Sequence, residues 1–349
     1  MDRQAPAYSP RLFFLALIAA GLACLLFVCS SCDGSGDSLP SRAAWRVLLI
    51  TAHPDDETMF NLGRFRERGW RTSIALVTNG ENGGVVQGIK PDYDPQKDDD
   101  VLIENDPGPG VWLTVPPDGP RLKEITTKLD LAIQRRGEFL DSSAIHGVLT
   151  VYFLSGLGRF DFEDSWDNGV ANWDQGLLAA RLMEAAALSR PDIIITLDPD
   201  ETWAHRQHYG LARIVKSLWE NGAFDAPGGP RPLLYGIREH GWYERSWEPL
   251  EGDERFDRDE YSPALAMTYE DYWARATGAY ISQSSHPVWF GARVGVKILP
   301  GYRGVDIIRR LDALAGREGL SELFLRRPPD AASAVPPTST PLVVDLSGE

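Results

Sequence analysis

A chain of 349 residues with 43% hydrophobic content has enough apolar material for one large α/β domain or two small ones. Its formal net charge of −15 argues against a nucleic-acid partner, because the phosphate backbone attracts basic surfaces. All three cysteines, Cys24, Cys29 and Cys32, lie near the N-terminus, which excludes a disulfide framework or a thiolate metal site in the rest of the chain; any metal there must use His and carboxylate.

Residues 1–11 are polar and carry Arg3 and Arg11, and residues 12–29, "LFFLALIAAGLACLLFVC", are uninterrupted apolar. A basic start before a hydrophobic middle has the form of a secretion signal, and the run is about long enough to span a bilayer. Ser30 and Ser31 then precede Cys32, in the pattern of a bacterial lipoprotein signal with Cys32 as the lipidated residue, although Cys29 stands where leucine is usual. The alternatives are an uncleaved anchor or a signal that is cleaved to leave a secreted protein. Because the arginines precede the apolar run, lipoprotein and anchor alike place the domain outside the cytoplasm, at the periplasm or cell surface, tethered to a membrane. The chain thus divides into a signal or anchor (1–32), a polar linker (33–44), an α/β domain (45–327) and a Pro/Ala/Ser/Thr-rich tail (328–349) expected to be disordered.

Within the domain, short apolar runs predict buried parallel strands at Val47–Ala52, Ser73–Thr78, Gly147–Phe153, Asp192–Leu197 and Leu233–Glu239. Helical patterns separate them at Met59–Arg68, Leu122–Ser142, Leu177–Ser189 and His208–Asn221. This alternation predicts a Rossmann-like α/β fold: an open, mostly parallel sheet with helices on both faces and its ligand site beyond the carboxyl ends of the strands. A Gly/Pro-rich insertion at 81–119 has the length and composition of a lid or binding loop, and residues 240–262 form a second long loop in which Trp242, Tyr243 and Trp247 are candidates to stack on sugar rings.

The first strand runs straight into "TAHPDDETMF". Capping accounts for one or two acids at a helix start, but not for a histidine and three acids within five residues. A cation among them offsets their mutual repulsion. His53 and Asp56, three apart at a strand-to-helix turn, can both face one point outside the sheet. The fourth strand ends in "DPDETWAHRQHYG", where His205 and His208 share one face of a helix start. His53, Asp56 and one of that pair make two neutral nitrogens and one carboxylate. Such three-residue sites are typical of catalytic zinc, though other divalent metals also suit His/carboxylate ligation.

"AHPDDE" followed much later by "AHRQH" resembles the PIG-L/LmbE-like family of zinc-dependent N-acetylglucosaminyl de-N-acetylases, over about Arg46 to Gln283. The segments "RRGEFLDSSAIHGV" and "FLSGLGRFDFEDS" resemble family segments in the same order. The resemblance implies that His53, Asp56 and His208 bind zinc. It makes Asp55 the general base, and gives His205 either stabilisation of the tetrahedral intermediate or proton donation to the leaving amine. It implies sugar contacts for Arg135 and Asp164, with Arg136 and Asp161 as near substitutes. The sequence departs from the family at Trp203, where tyrosine is frequent, at Arg206 and Gln207, where Pro-Asp is common, and at Tyr280, where His is common. The implied activity is removal of acetyl from an N-acetylated amino sugar or its conjugate. Its rivals are a zinc amidase or esterase acting on another substrate and a non-catalytic envelope protein that binds glycan. Nothing in the sequence sets the oligomeric state.

Overall fold

The computed structural model describes residues 45–82, 127–165, 168–202, 204–238, 252–280, 282, 305–312, 320 and 341–347. The strands are β1 (Arg46–Thr51), β2 (Arg71–Leu76), β3 (Thr150–Phe153), β4 (Ile193–Leu197), β5 (Leu233–Ile237), β6 (Asp253–Asp257), β7 (Tyr261–Ser262), β8 (Met267–Thr268), β9 (Val305–Arg310) and β10 (Leu342–Asp345). The helices are α1 (Gly63–Glu67), α2 (Lys128–His146), α3 (Gln175–Ser189), α4 (Arg206–Glu220) and α5 (Tyr269–Thr277).

Eight strands make one sheet in the order β10-β3-β2-β1-β4-β5-β9-β6, while β7 and β8 form a small antiparallel pair. From β10 across to β5 all pairings are parallel; β9 and β6 close that edge antiparallel. The fold is therefore an α/β sheet, mostly parallel, as the alternation of apolar runs and helical patterns predicts. Side chains of successive strand residues alternate between its faces. Val47, Leu49, Ile74, Leu76, Ile193 and Ile195 pack with Phe65 of α1 and Phe139 of α2. Leu48, Ile50, Ala75 and Ile194 pack with Leu178 and Leu182 of α3 and with Leu211 and Val215 of α4. Both faces are thus covered, which is why the central strands read as continuous apolar runs.

Three expectations are corrected. The helix predicted over Met59–Arg68 is broken into a 3-10 turn (Asp56–Met59) and α1, because Phe60 is extended and the Asn61 side chain accepts the Gly63 N–H at 3.0 Å. The tail is not irregular throughout: Leu342–Asp345 pairs in parallel with β3, where Leu342, Val343 and Val344 supply a short apolar, partly β-branched run. β6, β9 and α5 lie in regions to which the hydrophobic pattern assigned no element. The signal or anchor segment, residues 83–119 of the insertion, and Trp242, Tyr243 and Trp247 lie outside the described residues. Among the described residues, no helix is long and apolar enough to cross a membrane.

His146, near the C-terminal end of α2, is buried against Tyr272, and neither ring nitrogen has a hydrogen-bond partner among the described residues. Burial, aided by the Arg66 charge, pushes its pKa down from 6.5 to about 3. The folded state therefore holds His146 neutral while the unfolded chain takes up a proton below about 6.5. Its stabilising contribution is complete above that pH and is lost as pH falls toward about 3, at about 1.4 kcal/mol per unit. In urea titrations, His146→Leu is expected to flatten the fall in stability between about pH 6.5 and 5 relative to wild type. Identical pH profiles would show that the ring reaches water or a partner.

Candidate metal centre

The order of the strands explains why residues 155 positions apart meet. From β1 the chain builds outward through β2 and β3, then returns to place β4 on the other side of β1. Crevices for ligands form at such a reversal of strand order, beyond the carboxyl ends of the strands. β1 ends at Thr51 and delivers His53, Asp55 and Asp56; the loop after β4 delivers His205 at the N-cap of α4 and His208 in its first turn.

His53 Nδ1 lies 2.9 Å from His208 Nε2. Asp56 Oδ1 is 3.1 Å from His208 Nε2, and its Oδ2 is 3.4 Å from His53 Nδ1. A tetrahedral ion with bonds of about 2.0–2.1 Å has ligand-to-ligand edges of about 3.3–3.4 Å. The three groups thus converge at nearly the spacing a small divalent cation imposes. His205 belongs to the same cluster, with one ring nitrogen of each histidine within 4.8 Å of the others. That limit is wider than a tetrahedral edge. Asp56 meets His53 and His208 at the distances above, and the His205 ring stands 4.6 Å from that of His53, centroid to centroid.

The surrounding contacts orient these groups. The backbone N–H groups of Ala52 and His53 both donate to Asp56 Oδ2, at 2.9 and 2.7 Å, leaving Oδ1 directed at His208. Gln207 donates both amide hydrogens to backbone carbonyls, Glu163 at 2.8 Å and Gly169 at 3.1 Å. Its Oε1 must then accept, and it takes the His53 Nε2–H at 2.7 Å. This places the free lone pair of a neutral His53 on Nδ1, the nitrogen that faces His208 and Asp56. His205 Nδ1 accepts the Gln207 backbone N–H at 3.3 Å, which leaves its Nε2 to carry the proton in the neutral ring.

Electrostatics follow from burial and proximity. Burial disfavours a charged His53, but Asp56 and Asp164 outweigh it and raise its pKa well above 6.5; a metal ion must displace that proton. Burial also opposes the Asp56 carboxylate, yet His208 and His53 hold its pKa well below the usual value. His205 is pushed down to about 2, first by burial and then by the neighbouring His53 and His208 charges. Asp55 is raised to about 7, because burial and the Asp56 charge exceed the opposing effect of Arg135.

All seven residues singled out from the sequence come together here. Arg135 donates to Asp55 Oδ2 at 2.6 Å and to the Pro54 carbonyl at 2.7 Å. Asp164 Oδ1 lies 3.4 Å from His53 Nε2, and His53 holds its pKa down at about 2 against burial. In this structure both groups face protein partners within the site. Their near substitutes are engaged elsewhere: Arg136 donates to Asn79 and to the Ser155 carbonyl, and Asp161 pairs with Arg159 and Arg181. Trp203 lies outside the described residues.

Asp55 has φ 104°, a left-handed conformation uncommon for a residue with a side chain, at a cost of about 1–3 kcal/mol. Beside it, contacts join Glu57, the third acid of the opening motif, to two distant parts of the chain. Glu57 is fully buried; its Oε2 accepts the Asp55 N–H at 3.1 Å, and its Oε1 accepts the Ser142 hydroxyl at 2.6 Å and the Tyr280 hydroxyl. Ser142 lies 85 residues from Glu57, and no local signal links them.

Residues 48–219 match the family model described as PIG-L, GlcNAc-PI de-N-acetylase. The chain is 27% identical over 208 residues to the 1D-myo-inositol 2-acetamido-2-deoxy-alpha-D-glucopyranoside deacetylase of Streptomyces griseus, covering 56% of this chain and 53% of that one. It is 28% identical over 187 residues to the enzyme of the same name from Streptomyces scabiei, covering 50% and 48%. The chain thus spans about half the length of these curated relatives. Among solved structures it resembles the N,N'-diacetylchitobiose deacetylase of Pyrococcus horikoshii, with 15% identity, a TM-score of 0.42, and coverage of 91% of this chain and 99% of that one. A likeness at that level carries no functional argument. His53, Asp55, Asp56, His205 and His208 all fall inside the matched segment, and over that segment the chain is similar to the PIG-L family of de-N-acetylases.

Proposed function

We propose that this protein is a metal-dependent hydrolase that removes acetyl from an N-acetylated amino sugar or a conjugate of one, with zinc as the ion. The observation that supports it most directly is the meeting of His53, Asp56 and His208 at 2.9–3.4 Å, beside an Asp55 carboxylate that is not part of that trio. A divalent cation there supplies polarisation of the substrate carbonyl and acidification of water, which lowers its pKa to about 7. Asp55 takes the proton that the attacking water releases. Its pKa of about 7, before any cation acts on it, lies near the range in which a base exchanges protons well. Arg135 holds Asp55 Oδ2, which leaves Oδ1 to accept that proton. His205, neutral with its proton on Nε2, is suited to donate a hydrogen bond to the oxygen that gains charge when the amide carbonyl is attacked. The names of the curated relatives, both deacetylases of an acetamido sugar, favour the same substrate class.

The apolar run at 12–29 and the Ser-Ser-Cys that follows favour an extracytoplasmic location with a tether through the N-terminus. One experiment reads both proposals. Cells expressing the full chain are separated into membrane and soluble fractions, and each is assayed for acetate release from N-acetylglucosamine and from 1D-myo-inositol 2-acetamido-2-deoxy-α-D-glucopyranoside, with and without a chelator. Activity in the membrane fraction that chelation abolishes and zinc restores is the expected result. Chelator-resistant release overturns the metal, activity in the soluble fraction overturns the tether, and release from neither acetamido sugar overturns the substrate class.

A further inference from the structure

The strained Asp55 peptide requires something to hold it, because a left-handed conformation at a residue with a Cβ persists only where its surroundings determine it several times over. The carbonyl of Asp55 is held locally, by the Thr58 N–H at 2.9 Å and the Thr58 hydroxyl at 2.7 Å. Its side chain is held by Arg135. Its N–H precedes the 3-10 turn and has no helical acceptor. In a buried position that donor must find one or carry the full cost of desolvation. Glu57 Oε2 is that acceptor.

A glutamate near a helix start usually meets such a donor from the surface. Glu57 instead has no exposure, and its other oxygen takes hydroxyls from two distant segments, Ser142 on α2 and Tyr280 after α5. Three parts of the chain therefore fix one carboxyl group against one strained peptide. The contacts Ser142 and Tyr280 make are superfluous to a cap, but they are what a support for side-chain placement needs, since a loosely held site loses rate before it loses ligand.

We propose that Glu57 is a positioning residue that holds Asp55 in its left-handed conformation, and that Ser142 and Tyr280 hold Glu57. This rests on the reading of Asp55 as the proton acceptor. It makes the Tyr280 hydroxyl part of the support for that residue without contact with substrate.

The test compares Glu57→Ala, Glu57→Gln, the double variant Ser142→Ala/Tyr280→Phe, and Asp55→Asn. Each is assayed for acetate release from N-acetylglucosamine and for bound zinc. Glu57→Ala is expected to lower kcat by about 10–100-fold, with KM within about twofold of wild type and full metal content. Glu57→Gln, whose amide oxygen still accepts the Asp55 N–H, is expected to restore most of kcat. The double variant leaves Glu57 in place and is expected to lower kcat severalfold, which keeps the proposal testable if Glu57→Ala does not fold. Wild-type kcat in the double variant, or a loss that merely follows the loss of zinc or of folded protein, overturns it. If Asp55→Asn is inactive while Glu57→Ala keeps its kcat, this proposal alone fails. If Asp55→Asn keeps its kcat, the reading of Asp55 fails and this proposal falls with it.

Discussion

Asp55→Asn is expected to lower acetate release by about 10²–10⁴-fold while leaving the metal in place, the range expected for a positioned proton-transfer group. Asparagine is the informative replacement at this position. It tolerates positive φ better than most residues, so the 104° conformation of Asp55 does not penalise it. Its amide oxygen still accepts from Arg135, preserving the contact made at 2.6 Å. What it lacks is the capacity to accept a proton. Acetate release and zinc content measured on one preparation separate the outcomes. Activity near wild type removes Asp55 as the base; an inactive variant without zinc makes it a ligand. Carbohydrate binding that persists unchanged in a chain with no hydrolytic activity, wild type included, returns the reading to a glycan-binding protein.

His208→Ala is expected to have the larger effect on the metal. Its Nε2 faces both His53 and Asp56, and removing it leaves two protein ligands where catalytic sites use three. Zinc affinity should fall by more than the 10–100-fold that outer partners are typically worth, and acetate release should fall to background. His205→Ala is the counterpart. With Asp56 as the third ligand, it keeps zinc and loses rate. If the ion instead sits among the three histidines, both variants lose zinc alike. Competition with a chromophoric chelator measures the two affinities directly.

The parallel strands and their helices were legible because β1, β2, β4 and β5 are covered on both sides and carry uninterrupted apolar runs. β6 was not, because "DERFD" at the antiparallel edge holds four charges and little to bury, and β10 exposes Leu342 and Val343. The metal-facing residues were legible because histidine is scarce, with six in the chain, and two stand together after a strand. Their supports were less visible. Gln207 stood out as a departure from the family, but its place between His53 and two carbonyls depends on loop residues Glu163 and Gly169, far from it in sequence. The pairing of Arg135 with Asp55 was likewise hidden, since a buried arginine in a helical pattern looks the same as a solvated one until the sheet sets what it faces.

β1 and β4 are neighbours in the middle of the sheet, flanked by β2 and β5 and sandwiched between helices. Fraying that begins at β10 or at β6 leaves them paired. His53, just past β1, and His208, in the first turn of the helix that follows β4, are thus moored to the last part of the molecule to melt. A bound ion is released together with the fold rather than ahead of it, and thermal inactivation and metal escape become one event.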